Sequence, residues 1–410
     1  MVPNGWNRIA LEKIAEVRSG VAKGKKGLKA PIEVPYLRVA NVQDGHVDLT
    51  EVKTIEIEQD KLERYSLKYG DVLMNEGGDY DKLGRGDVWL GQIEPCLHQN
   101  HVFAVRPNQD IVDSFFLAAL AASNYGKTYF LSCAKRSTNL ASINSTQIKE
   151  FPVLVPPLPE QKKIAQILST WDKAITTTEQ LLANSQQQKK ALMQQLLTGK
   201  KRLLDKNGVR FSGEWKYVEI GRVLKEVKRP VDWDDDAEYK LLSVKRRSEG
   251  VVLREVLKGS DILTKKMNVA HSGDFLISKM QIVHGAAGLV SDEFDGFHVS
   301  DSYISLIPKD ESKLNIHFFA WFAKQKLMYH KAFLCSYGVH IEKMTFNFKL
   351  FLKEKIRVPV SIEEQQKIAA ILSSADQEIS ALQQKLDALK QEKKALMQQL
   401  LTGKRRVLVS

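Results

Sequence analysis

A chain of 410 residues with a formal charge of +12 is too long for one hydrophobic core and too basic to be indifferent to polyanions. Its longest apolar run, FFLAALAA at 115–122, falls far short of the roughly 20 residues a membrane span needs, and MVPNGWNRIA is no secretory leader. Cys96, Cys133 and Cys335 are scattered and make no CxxC pair, so neither disulfides nor zinc organise the fold, and a soluble cytoplasmic protein without membrane contact is expected.

Taken in chain order, strand-like runs come first, at 36–42, 72–74, 88–93 and 102–105, and a helical stretch follows at 114–131. A long helix is then expected within 157–200. It opens after Pro156, Pro157 and Pro159, and stops at Thr198-Gly199, a glycine followed by cations. Its apolar residues keep a heptad at Ile164, Leu168, Trp171, Ile175, Leu182, Leu192 and Leu196, a coiled-coil seam that Thr178, Ser185 and Lys189 weaken. A second set of strands (241–244, 275–277, 299–307) and a helix (317–333) repeat the first plan. A second long helix, within 361–404, carries Ile368, Leu372, Ala375, Ile379, Leu382, Leu386, Leu389, Leu396 and Leu400, interrupted by Lys393.

The two long helices are copies of one unit. A shift of 204 positions aligns Glu160-Gln161 with Glu364-Gln365 and Ile167-Leu168-Ser169 with Ile371-Leu372-Ser373, and KKALMQQLLTGK occurs at both 189–200 and 393–404. A looser echo pairs Trp6 with Trp215, Gly45 with Gly250, Gly70-Asp71 with Gly273-Asp274, and Val105-Arg106-Pro107 with Leu306-Ile307-Pro308. The chain therefore reads as a tandem duplication. The order is a globular segment at 1–156, a helix at 157–200, a second globular segment at 201–360, a helix at 361–404 and a tail at 405–410.

Because the first helix feeds the second globular segment, which runs straight into the second helix, both helices must meet that segment. An antiparallel pair satisfies this most simply. The expected fold is α+β: two similar globular domains joined by two long helices in an antiparallel coiled coil about 58 Å long, pseudo-twofold symmetric. A rod of that length can hold two readers about one DNA turn apart or a little more. The copies agree completely at 189–200 but at only three of thirteen positions between 176 and 188. A seam alone would keep only the apolar positions, so the retained Gln194, Gln195, Gln398 and Gln399 suggest that both helix ends dock against the same partner surface. The globular segments share only landmarks, which points to different targets.

The pattern PPLPEQKKIA at 156–165, its mate EEQQKIAAIL at 363–372, the two LLTGK endings and the paired GDVLM (70–74) and GDFLI (273–277) resemble the specificity subunit of type I restriction-modification enzymes over essentially the full length. The resemblance implies two target recognition domains, each reading one half of a split, asymmetric site in double-stranded DNA. The helices would set the gap between the halves and bind two methyltransferase subunits, and two motor-nuclease restriction subunits would join for cleavage. The assembled complex would be an adenine-specific DNA methyltransferase and ATP-dependent endonuclease.

Bases are read by Arg, Lys, Asn and Gln, which offer paired donors or acceptors to major-groove edges. In the first domain the candidates lie on 75–85 (Asn75, Lys82, Arg85), on Gln99 and Asn100, and on 135–139 (Lys135, Arg136, Thr138, Asn139). In the second they are Lys245, Arg246 and Arg247, then Lys279, Gln281 and His284, and finally His340. Each could equally be a solvated loop residue or touch phosphate. The basic runs 200–202 and 404–406 could touch phosphate too, or simply complement the helix ends.

Enzymatic signatures do not hold together. AASNYGKT at 121–128 satisfies a relaxed phosphate-loop pattern, but a helix rather than a strand precedes it. Glu238-Tyr239-Lys240 mimics a nuclease motif with its carboxylates too close in sequence, and Cys96, His98 and His101 lack a fourth metal ligand nearby. No NPPY-like motif or glycine-rich cofactor loop is present, so no cofactor, no metal and no catalysis are expected of the chain alone. A coiled-coil scaffold without DNA readout is the alternative; the charge and the divergent domains favour DNA.

Overall fold

The computed structural model describes residues 2–23, 28–78, 80, 83–84, 86–136, 140–338, 340–341 and 344–408. The chain divides into two compact units, one formed by 1–180 with 383–410 and the other by 181–382. Each long helix, Leu158–Leu196 and Ile362–Leu400, begins in one unit and ends in the other.

In the first unit, Asn7–Ala10 pairs antiparallel with Pro152–Val155, so the chain enters and leaves the domain on adjacent strands. Val102–Pro107 lies between Ala15–Ser19 and Val72–Asn75. A further sheet orders Lys53–Glu58, Pro31–Leu37 and Leu97–His98. The second unit repeats this plan. Trp215–Glu219 pairs with Lys355–Pro359, and Tyr303–Pro308 lies between Leu224–Val227 and Phe275–Ser278, with Ala287–Leu289 added at the edge. Its outer sheet runs Val251–Lys258, Glu238–Val244, Phe297–Ser300 and Met267–Ala270.

The repeated Gly-Asp stands just before the strands Val72–Asn75 and Phe275–Ser278. Gly70 and Gly273 take positive φ (88° and 84°), which costs a glycine little. Asp71 accepts from the Lys68 amide (2.8 Å) and from Arg106 (2.7 and 2.8 Å), and Asp274 accepts from the His271 amide (3.0 Å) and Arg229 (2.6 and 3.1 Å). The motif is thus a buried, paired turn, and its duplication reflects folding.

Several boundaries differ from the sequence expectation. The stretch 36–42 ends as a strand at Leu37, because the Asn41 side chain organises a turn by accepting from the Arg38 amide and donating to the carbonyls of Asp48 and Glu51. The stretch 88–93 is no strand: it makes one isolated bridge, Val88 to Val72, although Trp89 is fully buried. The helix at 114–131 is two helices, Ser114–Ala122 and Asn124–Cys133, divided at Ser123, whose hydroxyl caps the second. Likewise 317–333 is Ile316–Ala323 and Lys326–Leu334, and 299–307 is divided into Phe297–Ser300 and Tyr303–Pro308.

In the first unit the pairs Asp172 with Lys393 and Glu179 with Lys390 (2.7 Å) rise along one helix and fall along the other, so the two run antiparallel there. In the second unit Ser185 donates to Glu378 (2.9 Å) and Lys189 pairs with Asp376, again antiparallel. The polar residues of the seam are bonded: Ser185, Lys189 and Lys393 reach the other helix, and Thr178 turns its hydroxyl onto the Ala174 carbonyl of its own helix (2.8 Å). Lys189–Asp376 and Lys393–Asp172 are one pair written twice by the duplication. Each core is closed by the start of one helix and the end of the other: Ile164, Leu168, Leu400 and Leu401 join Trp6 and Phe116 in the first unit, and Ile368, Leu372, Leu196 and Leu197 join Trp215 and Phe318 in the second. Burying each such leucine stabilises by about 2 kcal/mol.

Candidate nucleic-acid interface

In the first unit the strand Val72–Asn75 delivers the chain to Glu76, where the candidate stretches converge. The Glu76 amide donates to the His101 carbonyl (2.9 Å), the Ile143 amide donates to the Glu76 carbonyl (2.8 Å), and the Glu76 carboxylate meets His101 Nδ1. Gly77–Gly78 then pairs with Ala141–Ser142, which pairs with Lys135–Arg136. A Cβ on Gly77 would stand 2.8 Å from the Ala141 carbonyl, so this close approach requires glycine. Lys135 and Arg136 are exposed, and the Arg136 guanidinium also donates to the Leu131 carbonyl (2.6 Å) at the end of the preceding helix. Gln99 and Asn100 are half-buried, their amides held by the carbonyls of Leu37 (2.8 Å) and Val21 (3.0 Å). Asn75 is buried and its amide donates to the Val42 carbonyl (2.8 Å), so the side chain faces inward rather than toward a ligand. Lys82, Arg85, Thr138 and Asn139 lie outside the described residues.

In the second unit Lys245, Arg246 and Arg247 are exposed on the connection between Glu238–Val244 and Val251–Lys258. Arg247 and Ser248 both hold left-handed backbone, φ 58° and 56°. The Ser248 amide donates to the Gly285 carbonyl (2.9 Å), which brings this turn against the stretch holding Lys279, Gln281 and His284. Lys279 is half-buried and donates to the Asp301 carbonyl (2.5 Å); Gln281 and His284 are half-buried, and the Gln281 Oε1 is buried with no partner among the described residues. Tyr337 and His340 are exposed beyond Lys326–Leu334, on or next to the hairpin of Ser336–Tyr337 with Thr345–Phe346.

Gln194, Gln195, Gln398 and Gln399 are all exposed. Their neighbours in the repeated twelve have internal work. Leu196, Leu197, Leu400 and Leu401 are buried, Thr198 and Thr402 donate to the carbonyls of Gln194 and Gln398 (2.6 and 2.5 Å), and Gly199 and Gly403 take φ 71° and 67° to end the helices. Among the described residues the four glutamine side chains make no such bond. Gln194 borders a groove of about 630 Å³ within the second unit that Lys189, Lys190, Met193, Leu327 and Ile379 also line.

Two arginines of the basic runs are occupied internally. Arg202 forms a two-toothed pair with buried Glu364 (2.6 and 2.8 Å), and Arg406 does the same with Glu160 (2.6 and 2.7 Å). Sequence reasoning missed these pairs, though a signal existed: both partners are kept in both copies. The retained glutamines are similar. Gln161 donates to the carbonyls of Ile111 (2.9 Å) and Pro156 (2.8 Å) and accepts from the Asp113 amide (2.9 Å), and Gln365 repeats the arrangement at Lys313, Pro359 and Asn315.

The enzymatic look-alikes have structural roles. Helices flank Ser123 on both sides in 121–128, and Glu238-Tyr239-Lys240 starts a paired strand. Cys96 and His98 are buried; burial pushes the His98 imidazole down to about 4, and its Nδ1 meets the Val102 carbonyl (2.6 Å). Among the described residues no group of three or more His, Cys, Asp or Glu side chains could hold a metal, and no helix is long and apolar enough to cross a membrane. Among the described residues, the first unit presents exposed Lys135 and Arg136 and half-buried Gln99 and Asn100, and the second presents exposed Lys245, Arg246 and Arg247 and half-buried Lys279, Gln281 and His284.

The chain is 31% identical over 238 residues to a Methanocaldococcus jannaschii protein named for the MjaX type I restriction enzyme specificity subunit, covering 57% of this chain and 52% of that one. It is 25% identical over 159 residues to the EcoKI specificity subunit of Escherichia coli, covering 37% of this chain and 33% of that one. The matches thus span about half or less of these relatives' own length. In fold it is similar to the HsdS subunit from Thermoanaerobacter tengcongensis (TM-score 0.52, 17% identity, 98% of both chains). It is also similar to the type I restriction-modification S subunit from M. genitalium (TM-score 0.58, 12% identity, 98% of this chain and 97% of that one). The family model described as type I restriction modification DNA specificity domain matches residues 3–184 and again 196–391, and the chain belongs to that family.

Proposed function

We propose that this chain is the DNA-reading, non-catalytic subunit of a type I restriction-modification enzyme. Each unit reads one half of a bipartite, asymmetric site in double-stranded DNA, and the repeated helix ends dock two methyltransferase subunits. Two motor-nuclease subunits complete the complex, which methylates adenine and cleaves DNA with ATP in the cytoplasm. One observation carries the reading best: the family domain occurs twice, with globular segments whose exposed cations, among the described residues, differ in sequence and exposed helix-end glutamines that do not. Different turns suit two different half-sites, and identical helix ends suit two identical partners. The scaffold alternative gains nothing from the divergent cationic turns.

The test is selection from a pool of randomised duplexes by the full chain with its methyltransferase. Two short groups of specified positions separated by an unspecified gap are expected, with affinity falling steeply as salt rises. Equal retention of all sequences would refute DNA readout, and methyl transfer by the chain alone would refute its non-catalytic role.

A further inference from the structure

Two consecutive residues other than glycine in left-handed backbone are a conformation the surroundings must hold, and such outliers collect where a side chain has to be aimed. Arg247 and Ser248 form such a pair in the second unit (φ 58° and 56°). What holds them comes from two other elements. The Ser248 amide donates to the Gly285 carbonyl (2.9 Å), and the Ser248 hydroxyl hydrogen-bonds the hydroxyl of Tyr329 (2.6 Å), from the helix Lys326–Leu334. Gly285 is itself left-handed (φ 74°), and its α-carbon lies so close to the Tyr329 ring that any Cβ would collide with it. One tyrosine therefore touches the residue that follows each stretch, packing with its ring against Gly285 after 279–284 and bonding with its hydroxyl to Ser248 after 245–247.

The first unit supplies an internal comparison. Gly84 (φ 63°) packs in the same way against Phe130, on the helix Asn124–Cys133, where a Cβ would again collide with the ring. A phenylalanine thus suffices for the packing, and among the described residues the hydroxyl is what the second unit adds.

We propose that the Tyr329 hydroxyl is a positioning group for DNA readout by the second unit, locking Ser248 and hence the direction in which Arg247 is presented beside Lys279 and Gln281. This rests on the reading of DNA proposed above. The Tyr329→Phe variant of the full chain keeps the ring that packs on Gly285 and removes only the bond to Ser248. In selection from randomised duplexes it relaxes one group of specified positions by about tenfold. That group is the one Gln281→Ala relaxes; the other group and the salt dependence stay as in the wild type, and the melting temperature falls by no more than the few degrees one hydrogen bond accounts for. Ser248→Ala gives the same relaxation, and Tyr329→Phe with Ser248→Ala gives no more than either alone. Ser248→Asn in the Tyr329→Phe background restores much of the preference, because asparagine adopts left-handed backbone readily. A wild type that discriminates, with a Tyr329→Phe variant that discriminates equally or relaxes both groups alike, overturns the brace and leaves the DNA reading intact. A wild type that selects no sequence overturns both.

Discussion

Arg406 and Glu160, 246 residues apart, form a two-toothed ion pair that ties the end of the second long helix to the start of the first (2.6 and 2.7 Å). Arg202 and Glu364 form the same pair in the other unit. The partners exchange between copies: each arginine follows one copy of the helix and finds the glutamate that opens the other. This reciprocity explains why tail and start are both retained in the repeat.

Glu364 is buried and Arg202 mostly so, so removing the arginine strands a carboxylate in the protein. Arg202→Ala is expected to lower the stability of the second unit by about 3 kcal/mol in denaturant unfolding, with part recovered by Glu364→Gln in the same chain. Arg406→Ala should destabilise the first unit in the same direction. Unchanged unfolding midpoints would show these pairs to be idle.

Gln161 is fully buried with three hydrogen bonds, one of them from the amide of Asp113, the residue that caps Ser114–Ala122. Gln161→Ala leaves those groups unsatisfied and should cost about 2–3 kcal/mol in equilibrium unfolding, and Gln365→Ala the same in the other unit. Gln161→Glu should restore little, since it cannot donate to the carbonyls of Ile111 and Pro156.

His98 is buried and held neutral, its pKa pushed from 6.5 to about 4. The unfolded chain binds its proton more readily than the folded one between those values. The stabilisation is therefore complete above pH 6.5, shrinks as the pH falls and is gone below about 4, a loss of about 3 kcal/mol. Unfolding free energies measured across that window should rise with pH, and His98→Gln should flatten the slope whatever it does to the absolute stability.

Gln194→Glu with Gln195→Glu places charge on two exposed side chains that make no hydrogen bond among the described residues. Native mass spectrometry of the complex should show one methyltransferase subunit lost, and Gln398→Glu with Gln399→Glu should release the other. Base preference in randomised selections should stay as in the wild type. A pair of changes that relaxed base preference instead would merge the docking and reading surfaces.

Much was legible in the sequence because the signals were local or repeated. Heptad spacing identified both long helices, a glycine before cations marked their ends, and the shift of 204 positions exposed the duplication and with it the count of two units. Apolar content at 88–93 misled: Trp89 is core, and its amide reaches the Asp71 carbonyl (2.8 Å), but the stretch makes only an isolated bridge. Residue type also named Asn75 as a reader when it bonds inward.

Tertiary structure alone decided which cations are committed. Arg202 and Arg406 look like their basic neighbours in sequence, and only the fold puts a buried glutamate opposite each. It also decided that Ser248 and Gly285, over thirty residues apart and each next to a cationic stretch, share one tyrosine. Helical periodicity is written in residues three and four apart, so the chain declares it locally. The partner of a charge or hydroxyl depends on how distant strands and helices pack, and that emerges only when the cores close.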